Sequence, residues 1–200
     1  MSFATIESMK WALAIFLFLV LSVPFSRASD LSRGEDRLGV PAPPLGLQHW
    51  LNSPTLEMDA LRGKVVLIRW WTDGCPYCAA TAPALMHLDA KYSARGLRVI
   101  GIFHPKPAGD WSVERMRTAT QQKGFTFPVA LDGGWTALRR WWPDLEKRGW
   151  TSVSFVVDKK GLIRYVHPGG EFHEGGEGDH ARCDRDYKEV EQIIARLLKD

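Results

Sequence analysis

The chain has 200 residues, of which 45% are hydrophobic and 24% charged, a composition typical of one folded domain and not of a disordered or collagen-like chain. Its 26 Lys and Arg against 23 Asp and Glu leave a formal charge of +3, too small an excess to indicate a nucleic-acid partner. Three Cys residues are too few for a disulfide-stapled miniprotein, but they suffice for one redox pair with one cysteine left over.

The first segment has the layout of a secretory signal peptide. Lys10 precedes the apolar run 11–23, and residues 26–28 place small side chains at the −3 and −1 positions of a cleavage site. The run is shorter than the ~20 residues that span a bilayer, and an uncleaved N-terminal anchor is the alternative. We therefore predict a signal peptide at 1–28 and a periplasmic protein, either free or tethered to the membrane through 11–23. That compartment is oxidising, so a disulfide can persist there.

The remaining chain alternates predicted strands and helices. We expect a flexible leader at 29–37 and a folded domain at 38–200. In chain order, the patterns predict a buried strand at 65–71, a helix at 79–95 ended by Gly96, a strand at 97–103 and a helix at 111–123. A strand at 125–131 and a helix at 135–148 interrupted by Pro143 follow. A hairpin of 153–158 and 162–166 and a closing helix with Asp184 or Asp186 as its N-cap complete the chain. This order predicts an α/β fold, a sandwich with a central mixed β-sheet flanked by helices.

A Cys-Pro-Tyr-Cys motif follows the first buried strand. Cys75 is expected at the start of a helix, where unsatisfied N–H groups and the helix dipole favour a thiolate. Pro76 costs no hydrogen bond in the first turn, and Cys78 lies three residues on, on the same face. The motif therefore predicts a redox pair whose Cys75 has a pKa well below that of Cys78.

Two other chemistries use the same residues. A structural zinc site usually draws a second tight Cys/His pair, and none follows at once. Thr72 and Cys75 half-match the peroxiredoxin pattern P-x-x-x-[TS]-x-x-C, but Ile68 stands where that pattern needs proline. A thiol peroxidase is thus the weaker interpretation.

Four segments in this order resemble the thioredoxin superfamily, in particular its secreted TlpA/ResA-type thiol–disulfide oxidoreductases with a redoxin-like domain. The segments are GKVVLIRWWTDGCPYC ending at Cys78, the proline Pro83, FTFPVALD at 125–132 and VSFVVDKKG at 153–161. The resemblance implies a thioredoxin-like fold and thiol–disulfide exchange, with Cys75 attacking and Cys78 resolving. It implies as partners cysteine-containing proteins and a membrane or secreted reductant or oxidant, and it requires no cofactor.

The chain departs from this family at three places. Ser152 stands where the family keeps a cis-proline, and because a cis bond before a non-proline costs ~2.5–4 kcal/mol, we expect a trans bond there. Arg69 stands where relatives carry an acidic or other polar residue, so it either lies beneath the pair as a cation or reaches solvent or an acid. The dipeptide Pro76-Tyr77 resembles that of glutaredoxin. We name Trp71, Pro76, Tyr77, Ser152 and Arg69 as supporting residues of the pair.

Three histidines and the third cysteine crowd into the segment 167–183, namely His167, His173, His180 and Cys183. The resemblance places this segment, and also His104, near the rim of the active site. An alternative function is therefore a soft-metal module that binds Cu or Zn through Cys75 and Cys78 with some of these groups, since thiolates and imidazoles suit such ions.

Overall fold

A six-stranded mixed sheet forms the centre of the described part of the chain, residues 31–176 and 178–200, in this computed structural model. The strands are β1 (Trp50–Leu51), β2 (Val65–Trp71), β3 (Leu97–Phe103), β4 (Val129–Leu131), β5 (Ser154–Val157) and β6 (Ile163–His167), in the spatial order β1-β4-β3-β2-β5-β6. β2, β3 and β4 are parallel, whereas β1, β5 and β6 run antiparallel to their neighbours. The predicted α/β architecture with a mixed sheet is confirmed.

Helices cover both faces of this sheet. They are α1 (Pro76–Tyr92), α2 (Val113–Lys123), α3 (Thr136–Trp141) and α4 (Ala181–Leu197). The predicted helix at 135–148 is much shorter than expected. It ends at Trp141 because Pro143 lacks an N–H and disfavours helical backbone at Trp142, and only a 3-10 turn at Leu145–Lys147 follows.

Strand β2 lies between β3 and β5 and is buried on both faces, which explains its continuous apolar sequence. Alternate side chains point to opposite faces, so Val65, Leu67 and Trp71 join the core that includes α1 and α4. Ile68 and Trp70 join the second core, which includes α3. Arg69 falls in the first set, in the middle of a central strand and directed to the α1 face.

Further boundaries differ from the sequence prediction, and α1 begins at Pro76 and ends at Tyr92 instead of covering 79–95. Of the strand predicted at 125–131, only β4 pairs with neighbouring strands. The side-chain amide of Asn52 donates hydrogen bonds of 3.0 Å to the carbonyls of Phe125 and Phe127, which precede β4. Helix α4 begins at Ala181 with His180 as its N-cap, so Asp184 and Asp186 lie inside the helix and the predicted N-cap was wrong.

The described part of the predicted leader is folded against the domain. Residues 31–37 contain two 3-10 turns, and the Asp36 carboxylate accepts two hydrogen bonds, of 2.8 and 2.7 Å, from the buried Arg148. The Arg148 guanidinium also stacks 4.0 Å from the ring centre of Trp142. The predicted signal peptide at 1–28 lies outside the described residues. Within the described residues, no helix combines the length and hydropathy needed to cross a membrane.

Candidate active site

The N-terminus of α1 positions the two cysteines of the motif. Gly74 adopts φ 65°, a left-handed conformation that favours glycine, and turns the chain from β2 into the helix. Cys75 is the N-cap, and its Sγ accepts the backbone N–H of Cys78 at 3.4 Å. Pro76 occupies the first helical turn, as predicted. Cys75 is partly exposed and Cys78 is buried, and both are free thiols.

The buried thiol of Cys78 has three polar neighbours. Its Sγ lies 3.3 Å from the hydroxyl of Ser152, and it also receives the backbone N–H of Thr72 and a hydrogen bond from Cys75. Each of these donors stabilises a negative charge on sulfur more than it stabilises a neutral thiol. Cys78 therefore lies in a site suited to a thiolate although it is almost inaccessible.

Arg69 lies beneath the pair and is fully buried. Its guanidinium donates to the Ser154 hydroxyl at 3.2 Å and to the Gly170 carbonyl at 2.7 Å, whereas its Nε has no partner. No carboxylate of the described residues forms an ion pair with it, and its anionic neighbours are Cys78 and Cys75. Of the two predicted placements, Arg69 takes the one beneath the cysteines.

The charge of Arg69 acts mainly on Cys78. Burial by itself raises the pKa of Cys78, but Arg69 and the Ser152 hydroxyl outweigh it and leave the pKa below its ordinary value. Burial and the hydrogen bond with Cys78 raise the pKa of Cys75. The predicted order of the two pKa values was therefore wrong. A buried arginine directly beneath the second cysteine therefore favours negative charge on Cys78.

The peptide bond before Ser152 is trans, and the cis bond found within the described residues precedes Pro107 instead. Ser152 is nonetheless buried against Cys78, and the next carbonyl, of Val153, accepts the N–H of Trp70 at 2.9 Å. This backbone bond extends the pairing of β5 with β2 to the level of the cysteines. Ser152 thus covers the buried sulfur from the position that the resemblance assigns to the proline.

His104 supports the loop that carries Ser152. Its Nδ1–H donates to the Trp71 carbonyl at 2.9 Å, so its Nε2 accepts the Thr151 hydroxyl at 3.0 Å. Burial lowers the pKa of His104 to about 3, which keeps the ring neutral. His104 therefore lies near the pair, and its hydrogen bond to Thr151 holds the segment that carries Ser152.

Two exposed aromatic residues form the rim beside Cys75. Tyr77 is 41% exposed and contacts Trp150, itself 46% exposed, edge to face at 5.4 Å between ring centres. Both line a groove of about 200 Å³ that continues past Gly170 to Cys183. Trp150 was missed in the sequence because it follows the irregular stretch after Pro143, where no periodic pattern places a side chain. Trp71, by contrast, packs in the core against Phe103 and Phe125.

The remaining candidate residues divide into two groups. His167 is buried, with its Nε2 3.3 Å from Asp186 and its ring against Phe172. His173, His180 and Cys183 instead come together with Glu171. Thr72 donates its hydroxyl to Asp73 at 3.2 Å.

Comparisons with known proteins agree with this arrangement. The Redoxin family matches residues 38–181. Protein DipZ of Mycobacterium tuberculosis is 29% identical over 182 residues, which cover 88% of this chain and 23% of DipZ. The thiol-disulfide oxidoreductase ResA of Halalkalibacterium halodurans is 25% identical over 120 residues, or 60% of this chain and 62% of ResA. The chain thus spans less than two thirds of either relative.

A solved structure shows the same fold. The thiol:disulfide interchange protein DsbE from Chlorobium tepidum superposes with a TM-score of 0.62 at 22% identity, over 80% of this chain and 97% of that one. The central sheet with helices on both faces is therefore a thioredoxin-like fold, as the resemblance implied.

Proposed function

We propose that this chain, which belongs to the Redoxin family, exchanges disulfides with cysteine-containing partner proteins through Cys75 and Cys78. The observation that supports this most is the pairing of a partly exposed Cys75 with a buried Cys78 above an arginine that lacks a carboxylate partner among the described residues. A membrane or secreted reductant or oxidant would renew the pair. The predicted signal peptide at 1–28 supports a periplasmic location.

The difference in exposure between the two cysteines supports the roles we propose for them. Cys75 attacks a partner disulfide because it alone of the pair is accessible, and its proton passes to the Cys78 thiolate and on to the departing partner sulfur. Cys75 is then joined to the partner as a mixed disulfide. The Cys78 thiolate, held by Arg69 and Ser152, attacks Cys75 and releases the second partner thiolate. One disulfide in the partner is reduced, and one forms between Cys75 and Cys78.

Trapping the mixed disulfide tests these roles. We expect reduced Cys78→Ser protein to accumulate a covalent adduct with a disulfide-containing probe protein such as insulin, because the resolving sulfur is absent. Cys75→Ser should give no adduct, since the remaining sulfur of the pair is buried. Nonreducing electrophoresis followed by mass spectrometry measures both results.

Cys183→Ser is the matched control for this experiment. It removes a thiol of the same chain, and we expect it to exchange disulfides as the wild type does. An adduct formed through Cys183, or equal trapping by the Cys75→Ser and Cys78→Ser variants, would contradict the proposed roles.

A further inference from the structure

Four metal-binding side chains converge outside the redox pair. Glu171 and His173 come from the loop after β6, whereas His180 and Cys183 come from the start of α4. One ligand atom of each side chain lies within 4.8 Å of every other. The sequence predicted that residues of 167–183 would join Cys75 and Cys78 at a metal site, whereas His173, His180 and Cys183 cluster with Glu171 instead, and without His167.

Four of the six separations among these ligand atoms are close to the edges of a tetrahedral site. A zinc ion with its usual bond lengths of ~2.0–2.3 Å places neighbouring ligand atoms about 3.3–3.6 Å apart. The His173 Nε2 lies 3.3 Å from the His180 Nδ1. The Glu171 carboxylate lies 3.6 Å from the Cys183 Sγ and 3.7 Å from the same His180 nitrogen. The Cys183 Sγ lies 3.9 Å from that nitrogen. The other two separations, from His173 to Glu171 and to Cys183, are within 4.8 Å, so the His173 ring would have to move closer to the other ligands when an ion binds.

Hydrogen bonds already link these side chains, with the Cys183 thiol donating to the Glu171 carboxylate. The His180 Nδ1 faces three neighbours, namely His173, Glu171 and Cys183, but a ring nitrogen carries at most one proton. A single N–H can serve only one of the three. A cation at the centre of the cluster would bind all four ligand atoms at once.

Neighbouring groups hold the ligands in place. The His173 Nδ1 lies 3.0 Å from the Gly175 carbonyl, which can only accept, so this nitrogen carries the proton and Nε2 is left free as a ligand. The Gly175 N–H donates to Asp184 of α4 at 3.0 Å. A Cβ on Gly176 would stand 2.8 Å from the His180 backbone, so the loop approaches α4 as closely as only glycine allows.

We propose that Glu171, His173, His180 and Cys183 form a zinc site separate from the Cys75–Cys78 pair. One thiolate, two imidazoles and one carboxylate in a tetrahedral arrangement are ligands typical of Zn²⁺. Because all four positions are taken by side chains, the site is structural, closing the loop onto α4, and has no open position for catalysis.

The zinc site also bears on the redox pair through the loop. Gly170, next to Glu171, accepts a hydrogen bond from Arg69. Phe172 places its ring 5.8 Å from the Arg69 guanidinium and donates its N–H to Thr81 of α1 at 3.3 Å. Zinc binding therefore fixes the segment that holds the buried arginine.

Cobalt titration tests this proposal on the double variant Cys75→Ser/Cys78→Ser. We expect it to bind one equivalent of Co²⁺, with the visible bands of a tetrahedral site and a thiolate-to-cobalt charge-transfer band, and to bind one equivalent of Zn²⁺ in competition. Adding Cys183→Ser should remove the charge-transfer band. It should weaken binding by at least the ~10–100-fold that the loss of an outer partner of a metal ligand costs.

Two further variants complete the test. His173→Gln should weaken binding similarly, whereas His87→Gln, on the exposed face of α1, should bind as the parent does. Absence of binding in the Cys75→Ser/Cys78→Ser variant, or equal binding by the Cys183→Ser and His173→Gln variants and their parent, would overturn the proposal. Because this readout does not involve disulfide exchange, either proposal can fail without the other.

Discussion

We expect Arg69→Met to lower the reduction potential of the Cys75–Cys78 pair by about 30–60 mV, since 30 mV corresponds to ~1.4 kcal/mol for a two-electron couple. Arg69 is fully buried, and its anionic neighbours are the two cysteines. In the reduced protein the Cys78 thiolate compensates its charge. In the oxidised protein both sulfurs are neutral, so the guanidinium stays buried without a counter-charge. Arg69 therefore stabilises the reduced form, and its loss makes the pair more reducing.

The same variant should raise the pKa of the Cys78 thiol. Arg69 lowers this pKa against the effect of burial, so methionine leaves burial dominant. Thiolate absorbance during a pH titration reports the change, and equilibration with glutathione buffers reports the potential. Arg69→Lys, which keeps the charge, is the control. Its Cys78 pKa and its reduction potential should stay nearer those of the wild type than those of Arg69→Met do. An unchanged potential in Arg69→Met would show that the guanidinium does not act on the pair.

We expect stability to fall by about 2 kcal/mol between pH 7 and pH 5 through His104 alone. The pKa of His104 is about 3 in the folded protein, because of burial, against 6.5 as its ordinary value. Between these values the unfolded chain binds a proton that the folded chain does not. This contribution to stability is thus present above pH 6.5 and is lost as the pH falls towards 3.

Denaturant unfolding at pH 7 and pH 5 measures the effect. His104→Gln should be less stable at pH 7 but should lose less stability on acidification, by roughly the same 2 kcal/mol. His87→Gln is the matched control and should keep the wild-type pH dependence. His167, also buried with a lowered pKa, contributes in the same direction and remains in every variant. Equal pH dependence of His104→Gln and the wild type would contradict the account of this buried ring.

Much of the fold could be predicted because the local signals agree with the tertiary structure. The run 65–71 is apolar throughout because β2 is buried on both faces, and its limits match the prediction, as do those of β3. The trans bond before Ser152 followed from the cost of a cis bond before a non-proline residue, and His104 follows directly after β3. These inferences depend on short stretches of chain or on the order of the strands.

The parts that could not be predicted depend on long-range contacts. The position of Arg69 in β2 fixes its face, but only the neighbouring strands β3 and β5 show that it cannot reach solvent. The helix dipole favours a thiolate at Cys75, but β2 beneath the helix places the full charge of Arg69 next to Cys78, where it lowers the pKa. Glu171 gave no signal as a metal ligand, because its approach to Cys183 depends on how the glycine-rich loop returns to α4.

The most direct test of the central claim is to oxidise the wild-type protein in glutathione buffers of defined potential and to identify the disulfide by peptide mass spectrometry. We predict one two-electron transition that joins Cys75 to Cys78, at a potential above the roughly −270 mV of thioredoxin, because the buried Arg69 stabilises the reduced pair. We also predict that Cys183 stays outside this disulfide. Failure of Cys75 and Cys78 to form an intramolecular disulfide at any potential would contradict the account.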